Sequence, residues 1–339
     1  MKKFVFDKTA WIQNKNLLNK KVIFLDTFIW SKIIREEEDF VKLRELLLRL
    51  VRGGKIIVAV NISLISEVVD RADIGQAKEI LGLFDELSGG VFLTNTYTLF
   101  SKELEEQIVA RLKGRDVQKL DQNVTFGPIW EVLGEAHLSQ YVAEGNSIDG
   151  KTASNIFRKL TQIKLIDLSE AWFYNKGVYK EESQKYLMKR YKQEMSDGSY
   201  RTILKEEQDA LGRGQVGAIF SVCDKISFHV VYERLDPQDR FKEIVSKELK
   251  VVVNACPTFS VSTRLHAKLR FLKDVSKSIR VNDFYDIFHL SNAIPYCDYI
   301  ICDKEMAHIC KNELKLDKEF ESRILTFNEL DDFTEQLGK

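Results

Sequence analysis

The sequence predicts an α/β fold around a parallel sheet, and three observations lead there. Short apolar runs of strand length recur at Lys21–Leu25, Lys55–Val60, Val91–Thr94 and Tyr299–Cys302. They lack the apolar–polar alternation of a half-solvated sheet, which fits strands buried on both faces. Helix-length stretches separate the first three, and strand–helix–strand alternation implies right-handed parallel connections. Two of the runs end on a single acid, Asp26 and Asp303. Open parallel sheets bind ligands at that carboxyl end.

The elements follow in order. Residues 1–20 predict no regular element; Phe4, Val5, Phe6 and Trp11 suit an arm packed on the domain. After the first strand, Thr27 opens a helix reaching about Arg35. Glu36–Arg52 is a second helix, because Phe40, Leu43, Leu47, Leu50 and Val51 recur at three- and four-residue steps. Gly53-Gly54 stops it. After the second strand, Ser63–Asp70 and Ile74–Leu87 are helical, the latter ending at Gly89-Gly90. The third strand is Val91–Thr94, with the next helix capped at Thr98 or Ser101. Residues 113–257 are mostly charged and helix-like, as in Lys180–Glu194 and Tyr200–Leu211. They read as a helical insertion bordering an acidic cleft, or equally as a scaffold or dimer surface. The sheet resumes after a helix beginning near Asp283 and a turn at Pro295–Asp298. Its fourth strand is Tyr299–Cys302 and its fifth Arg323–Phe327, with a final helix from Asn328. The boundaries drawn are 20–112, 113–257 and 258–339.

Composition narrows the function classes. Lys+Arg and Asp+Glu both number 51, so the net charge is zero. This argues against a protein coated in nucleic acid, while leaving room for a local basic groove. No apolar run approaches the 18–20 or so residues that cross a membrane. The N-terminus lacks the apolar core of a secretion signal. The five cysteines have no framework spacing, as expected in a reducing cytoplasm. Cys297, Cys302, His308 and Cys310 cluster in sequence, yet lack the two-residue gap common at zinc sites.

The chemistry gathers at Val281–Lys304 and the strand ends before it. Asp283 and Asp286 fall in the first turn of a helix, where its dipole favours negative charge. Asp26 and Asp303 end strands, and Glu67 sits on the helix after the second strand. Each acid alone suits an N-cap or a turn. Together they suit a hard divalent cation such as Mg²⁺ or Mn²⁺. Thr27 offers a hydroxyl, with helix capping equally natural. His289 stands one turn after Asp286, either near the acids or packed in the helix layer. Arg264–Arg280 carries six basic residues and one acid. With Leu265, Leu269, Leu272 and Ile279 on its apolar face, it is either a backbone-binding helix or a solvated one. Arg264 and Lys268 on this run, and Lys304 beside Asp303, are the candidate phosphate contacts. Gly212-Arg213-Gly214-Gln215-Val216-Gly217 matches the dinucleotide glycine pattern, but charged helix-like sequence precedes it instead of a strand. A flexible loop explains those glycines. Phe28 stands where a haloacid-dehalogenase-like phosphatase needs a second acid, and no P-loop motif is present.

LDTFIW around Asp26, ISLISEVVD around Glu67, NDFYDIFHLSNA around Asp283 and Asp286, and IICDKEM around Asp303 together resemble the PIN-domain nucleases. The resemblance covers about residues 20–100 and 280–330. It implies a three-layer α/β/α fold with a central parallel five-stranded sheet, order 3-2-1-4-5, and an inserted helical subdomain. It further implies a metal-dependent endoribonuclease hydrolysing RNA phosphodiester bonds. In that reading Asp26, Glu67, Asp286 and Asp303 hold Mg²⁺ or Mn²⁺, and Asp283 supports them. Asp286 is preferred to Asp283 because it precedes Asp303 by 17 residues, the spacing the resemblance leads one to expect. The partners implied are RNA, a homodimer and, as for toxin-like members, an inhibitory protein. The alternatives are a catalytically silent module binding RNA or protein, and a DNA-directed nuclease of related fold.

Overall fold

The first apolar run becomes the centre of a parallel sheet. The computed structural model describes residues 11–13, 15–129, 164–166, 199–232, 238–272, 281–329 and 333. Among them are six strands: β1 (Lys21–Leu25), β2 (Ile56–Ala59), β3 (Phe92–Leu93), β4 (Phe126–Gly127), β5 (Tyr299–Ile301) and β6 (Arg323–Leu325). Four form one sheet in the order β2-β1-β5-β6, with every neighbour parallel. In β1 and β2 every residue but Lys21 is buried, which explains why neither run alternates. Asp298, just ahead of β5, fixes the register. Its carboxylate accepts from the Val22 amide (2.8 Å) and from Lys21 Nζ (2.8 Å).

The parallel sheet therefore has four strands, where the sequence predicted five. The expected third strand shrinks to β3, which pairs antiparallel with β4. It touches β2's side only through one parallel bridge, Val60 to Phe92, and the Leu93 amide bonded to the Val60 carbonyl (2.8 Å). Two residues are too few to extend a ladder, and β4 supplies a competing partner. β4 itself lies in a segment expected to be helical.

The chain divides into two compact units. The first comprises Met1–Asn95, Thr125–Glu182 and Tyr296–Lys339; the second comprises Thr96–Val124 and Ser183–Pro295. In the first, β1 leads into α1 (Thr27–Ile34) and α2 (Glu38–Arg52), and β2 into α3 (Ile62–Arg71) and α4 (Ile74–Ser88). Phe40, Leu43, Leu46, Leu47 and Leu50 form the buried face of α2. Such side chains contribute about 1.5–3 kcal/mol each on full burial. Asp73 caps the start of α4 through the Gln76 amide (2.9 Å). Gly89 ends it at φ 59°, the left-handed conformation that lets its amide reach the Asp85 carbonyl.

The second unit is helical. It contains α5 (Thr96–Lys113), α6 (Tyr200–Gly214), α7 (Val216–Tyr232), α8 (Gln238–Glu243), α9 (Leu249–Asn254), α10 (Pro257–Leu272) and α11 (Val281–Ala293). Phe100, Leu104 and Ile108 of α5 meet Val222 and Ile226 of α7, Val252 of α9 and Phe259 of α10 in one core. Both carboxylate oxygens of buried Glu103 on α5 accept from the Thr258 amide (3.0 Å each) at the head of α10. That contact explains why the division falls after Asn95 and Pro295 and not at 112 and 257. The six-residue glycine pattern is helical, with Gly212 and Gly214 in α6 and Gly217 in α7. No strand precedes it, and the expected flexible loop is a helix junction. Phe4, Val5 and Phe6 of the expected arm, and the expected helix Lys180–Glu194, lie outside the described residues. The first unit closes with α12 (Lys304–His308) after β5 and α13 (Leu316–Glu319) before β6. The expected helix from Asn328 begins as a 3-10 turn, Phe327–Glu329. Among the described residues, no helix is long and apolar enough to cross a membrane.

Candidate metal centre

β1 delivers Asp26 to the carboxyl edge of the sheet. Its amide bonds the Ile301 carbonyl (2.9 Å), so the ladder with β5 runs up to the acid itself. Asp26 then caps α1, its Oδ1 accepting from the Thr27 amide (2.6 Å). β5 is β1's parallel neighbour, paired Leu25 to Ile301. It releases Asp303 at the same edge. Asp303 caps α12 in the same way, its Oδ1 accepting from the amides of Glu305 (2.7 Å) and Met306 (3.0 Å). Both acids therefore do what a capping residue does, and in each case the cap uses Oδ1. Among the described residues, Asp303 Oδ2 makes no hydrogen bond.

Glu67 reaches this edge from α3. Asn61, following β2, starts that helix by accepting from the Leu64 amide (2.9 Å). Glu67 is buried a turn and a half later, 1% exposed. The Thr27 hydroxyl donates a short hydrogen bond to Glu67 Oε2. Thr27 thus holds two acids at once, Asp26 by its amide and Glu67 by its hydroxyl. The motifs singled out Thr27 as a ligand or a cap; its bond to Glu67 links residues 40 apart and has no local sequence signal.

Negative charge is crowded here. Burial pushes the Asp303 carboxyl above the usual carboxylate range; the Asp26 charge and that of Glu305 push the same way, against the cap bonds from Met306 and Glu305. The donors are all oxygens, largely shielded from water, and an acid among them is reluctant to ionise. This donor set fits a hard divalent cation, whose charge removes the penalty.

The remaining site residues lie elsewhere. Asp283 and Asp286 are half-buried on α11, in the second unit. Buried His289 follows one turn later, and the ligand atoms of Asp286 and His289 lie within 4.8 Å of each other. Lys304 is exposed at the first position of α12, and Arg264 is half-buried on α10. Lys268 departs from expectation: it is 9% exposed, with its ammonium over the rings of Phe271 (5.0 Å) and Tyr200 (5.4 Å). Arg270 likewise turns inward to an ion pair with buried Glu207. Leu265 and Leu269 are buried as the periodicity implies, Leu272 is exposed, and residues 273–280 lie outside the described residues.

No protein-family model, no curated protein and no solved structure matches this chain.

Proposed function

We propose that the protein is a metal-dependent ribonuclease that hydrolyses RNA phosphodiester bonds at Asp26, Glu67 and Asp303. Asp286 is the fourth ligand and Asp283 its support, as the resemblance to PIN-domain nucleases assigns. The observation that supports this reading most is the delivery of Asp26 and Asp303 to one edge by adjacent parallel strands, with Glu67 tied to Asp26 through Thr27. Ligands collect at that edge in open α/β sheets. The finer five-stranded order 3-2-1-4-5 draws its support from the Val60–Phe92 bridge, which sets β3 beside β2.

A bound Mg²⁺ or Mn²⁺ supplies positive charge to a phosphoryl oxygen and to the leaving oxygen. The residues of the chain do the rest. The caps of α1 and α12 fix the Asp26 and Asp303 carboxyls before anything binds, so little ordering remains to be done on binding. Thr27 holds Glu67 in one rotamer. Arg264 and exposed Lys304 offer cations to the RNA backbone.

The test is incubation with a panel of RNA and DNA oligonucleotides plus Mn²⁺ or Mg²⁺, with end-mapping of products. Internal RNA cleavage that stops with chelator supports the proposal. RNA binding without cleavage identifies a silent module, and cleavage of DNA alone identifies a DNA-directed enzyme. Full cleavage by a folded Asp26→Asn/Asp303→Asn variant refutes the site.

A further inference from the structure

The first unit also holds a cavity of about 320 Å³ whose chemistry the acids at the strand ends do not use. It opens between α1, the start of α2 and the turn after β6. Phe28, Phe40 and Phe327 supply its aromatic walls; Lys32, Glu37, Glu38 and Asp39 supply its charges. Three carboxylates against one ammonium leave the lining negative.

Lys32 shows what such a lining holds. Its ammonium lies 5.2 Å over the Phe40 ring and 2.6 Å from Glu37 Oε2. The opposite support is fixed, because Phe40 and Phe327 stack at 4.2 Å with planes 12° apart. Lys32 satisfies Glu37, and Glu38 has only a long contact to exposed Lys42 (3.6 Å). Asp39 forms no ion pair among the described residues. Phe28 and Phe327 remain half-exposed. Aromatic faces attract cations through the ring quadrupole, and carboxylates do so by charge. The same lining repels a phosphate.

We propose that this cavity binds an organic cation, a guanidinium or alkylammonium head on an apolar stem. Asp39 and Glu38 take the charged head, and Phe28 and Phe327 take the stem. Lys32 is an internal competitor for the same ground. A protein's arginine side chain and a free polyamine share this chemistry. The inference stands independently of whether the strand-end acids cleave RNA.

Calorimetric titration of the full chain tests it, with N-acetyl-arginine amide as the peptide-borne head and spermidine as the free polyamine. N-acetyl-citrulline amide is the neutral counterpart, and cytidine tests a nucleobase as occupant. One of the two cations binds, with citrulline amide about tenfold weaker or worse; the tighter of the two identifies the source. Phe327→Leu weakens binding about two- to fivefold, the share of one exposed cation–π contact. Asp39→Asn weakens it at least as much, and Lys32→Met strengthens it by removing the competing ammonium. Circular dichroism confirms that each variant is folded, and RNA cleavage is unchanged in all three, which separates this site from the proposed metal centre. The proposal falls if neither cation binds wild type or Lys32→Met. It also falls if Asp39→Asn and Phe327→Leu both bind as wild type, or if cytidine binds more tightly than either cation.

Discussion

Thr27→Val isolates the bond that ties two acids together. Valine keeps the β-branched shape, so the start of α1 loses little propensity or rotamer preference. The Thr27 amide still caps onto Asp26, because the backbone is unchanged. Only the hydroxyl donor to buried Glu67 disappears. A hydrogen bond to a charged group is worth about 1.5–3 kcal/mol. The added buried methyl returns up to about 0.8 kcal/mol. The expected net loss is about 1–2 kcal/mol, read as a lower urea midpoint at unchanged slope. Thr27→Ser keeps the donor and should lose clearly less than valine. Groups that orient a metal ligand typically govern affinity about 10–100-fold, so Mn²⁺ binding by Thr27→Val should weaken at least tenfold. A valine variant as stable as wild type, or a serine variant as damaged as valine, would refute the reasoning.

Three further outcomes follow from the same contacts. The folded-state pKa of Asp303 lies above its unfolded value, so the folded chain binds the proton more tightly. Without metal, that contribution is fully present below the unfolded pKa and is lost as pH rises through the raised one; melting curves across acidic pH should show it, and Asp303→Asn should flatten it. Mn²⁺ affinity should rise with pH over the same window, because the ion displaces that proton. In the second unit, Arg270→Met leaves Glu207, 0% exposed, without its cation. Urea unfolding should show a loss of about 3–5 kcal/mol, of which Arg270→Met/Glu207→Leu should recover a large part. Equal losses in the single and double variants would mean that the pair is not what stabilises α6 against α10.

The strands were legible because burial on both faces leaves an unbroken apolar run, as in Val22–Leu25 of β1 and Ile56–Ala59 of β2. Asp26 and Asp303 were legible for the same reason, as the first acids past such runs. Contacts between distant residues were not. β3 is two residues long because it meets β4, and nothing local to Phe92–Leu93 announces Phe126–Gly127. α5 joins the second unit through Glu103 and Thr258, which are 155 residues apart. Lys268 carries the charge pattern of a phosphate contact, yet Tyr200, far away in sequence, helps enclose its ammonium. Glycines at 212, 214 and 217 suggested a loop, but each costs a helix only about 1 kcal/mol, which packing overrides.

Calorimetric titration of Mn²⁺ into the folded, metal-free chain tests the proposed metal centre most directly, with Asp26→Asn/Asp303→Asn measured beside it. Wild type should bind Mn²⁺ and gain stability by mass action, about 2.7 kcal/mol at a hundredfold excess over Kd. The double variant should stay folded, since asparagine can still cap α1 and α12 and the carboxylate repulsion is gone, but it should lose most of that binding and that gain. Equal Mn²⁺ binding by both proteins, or none by wild type, would contradict a metal centre at Asp26 and Asp303.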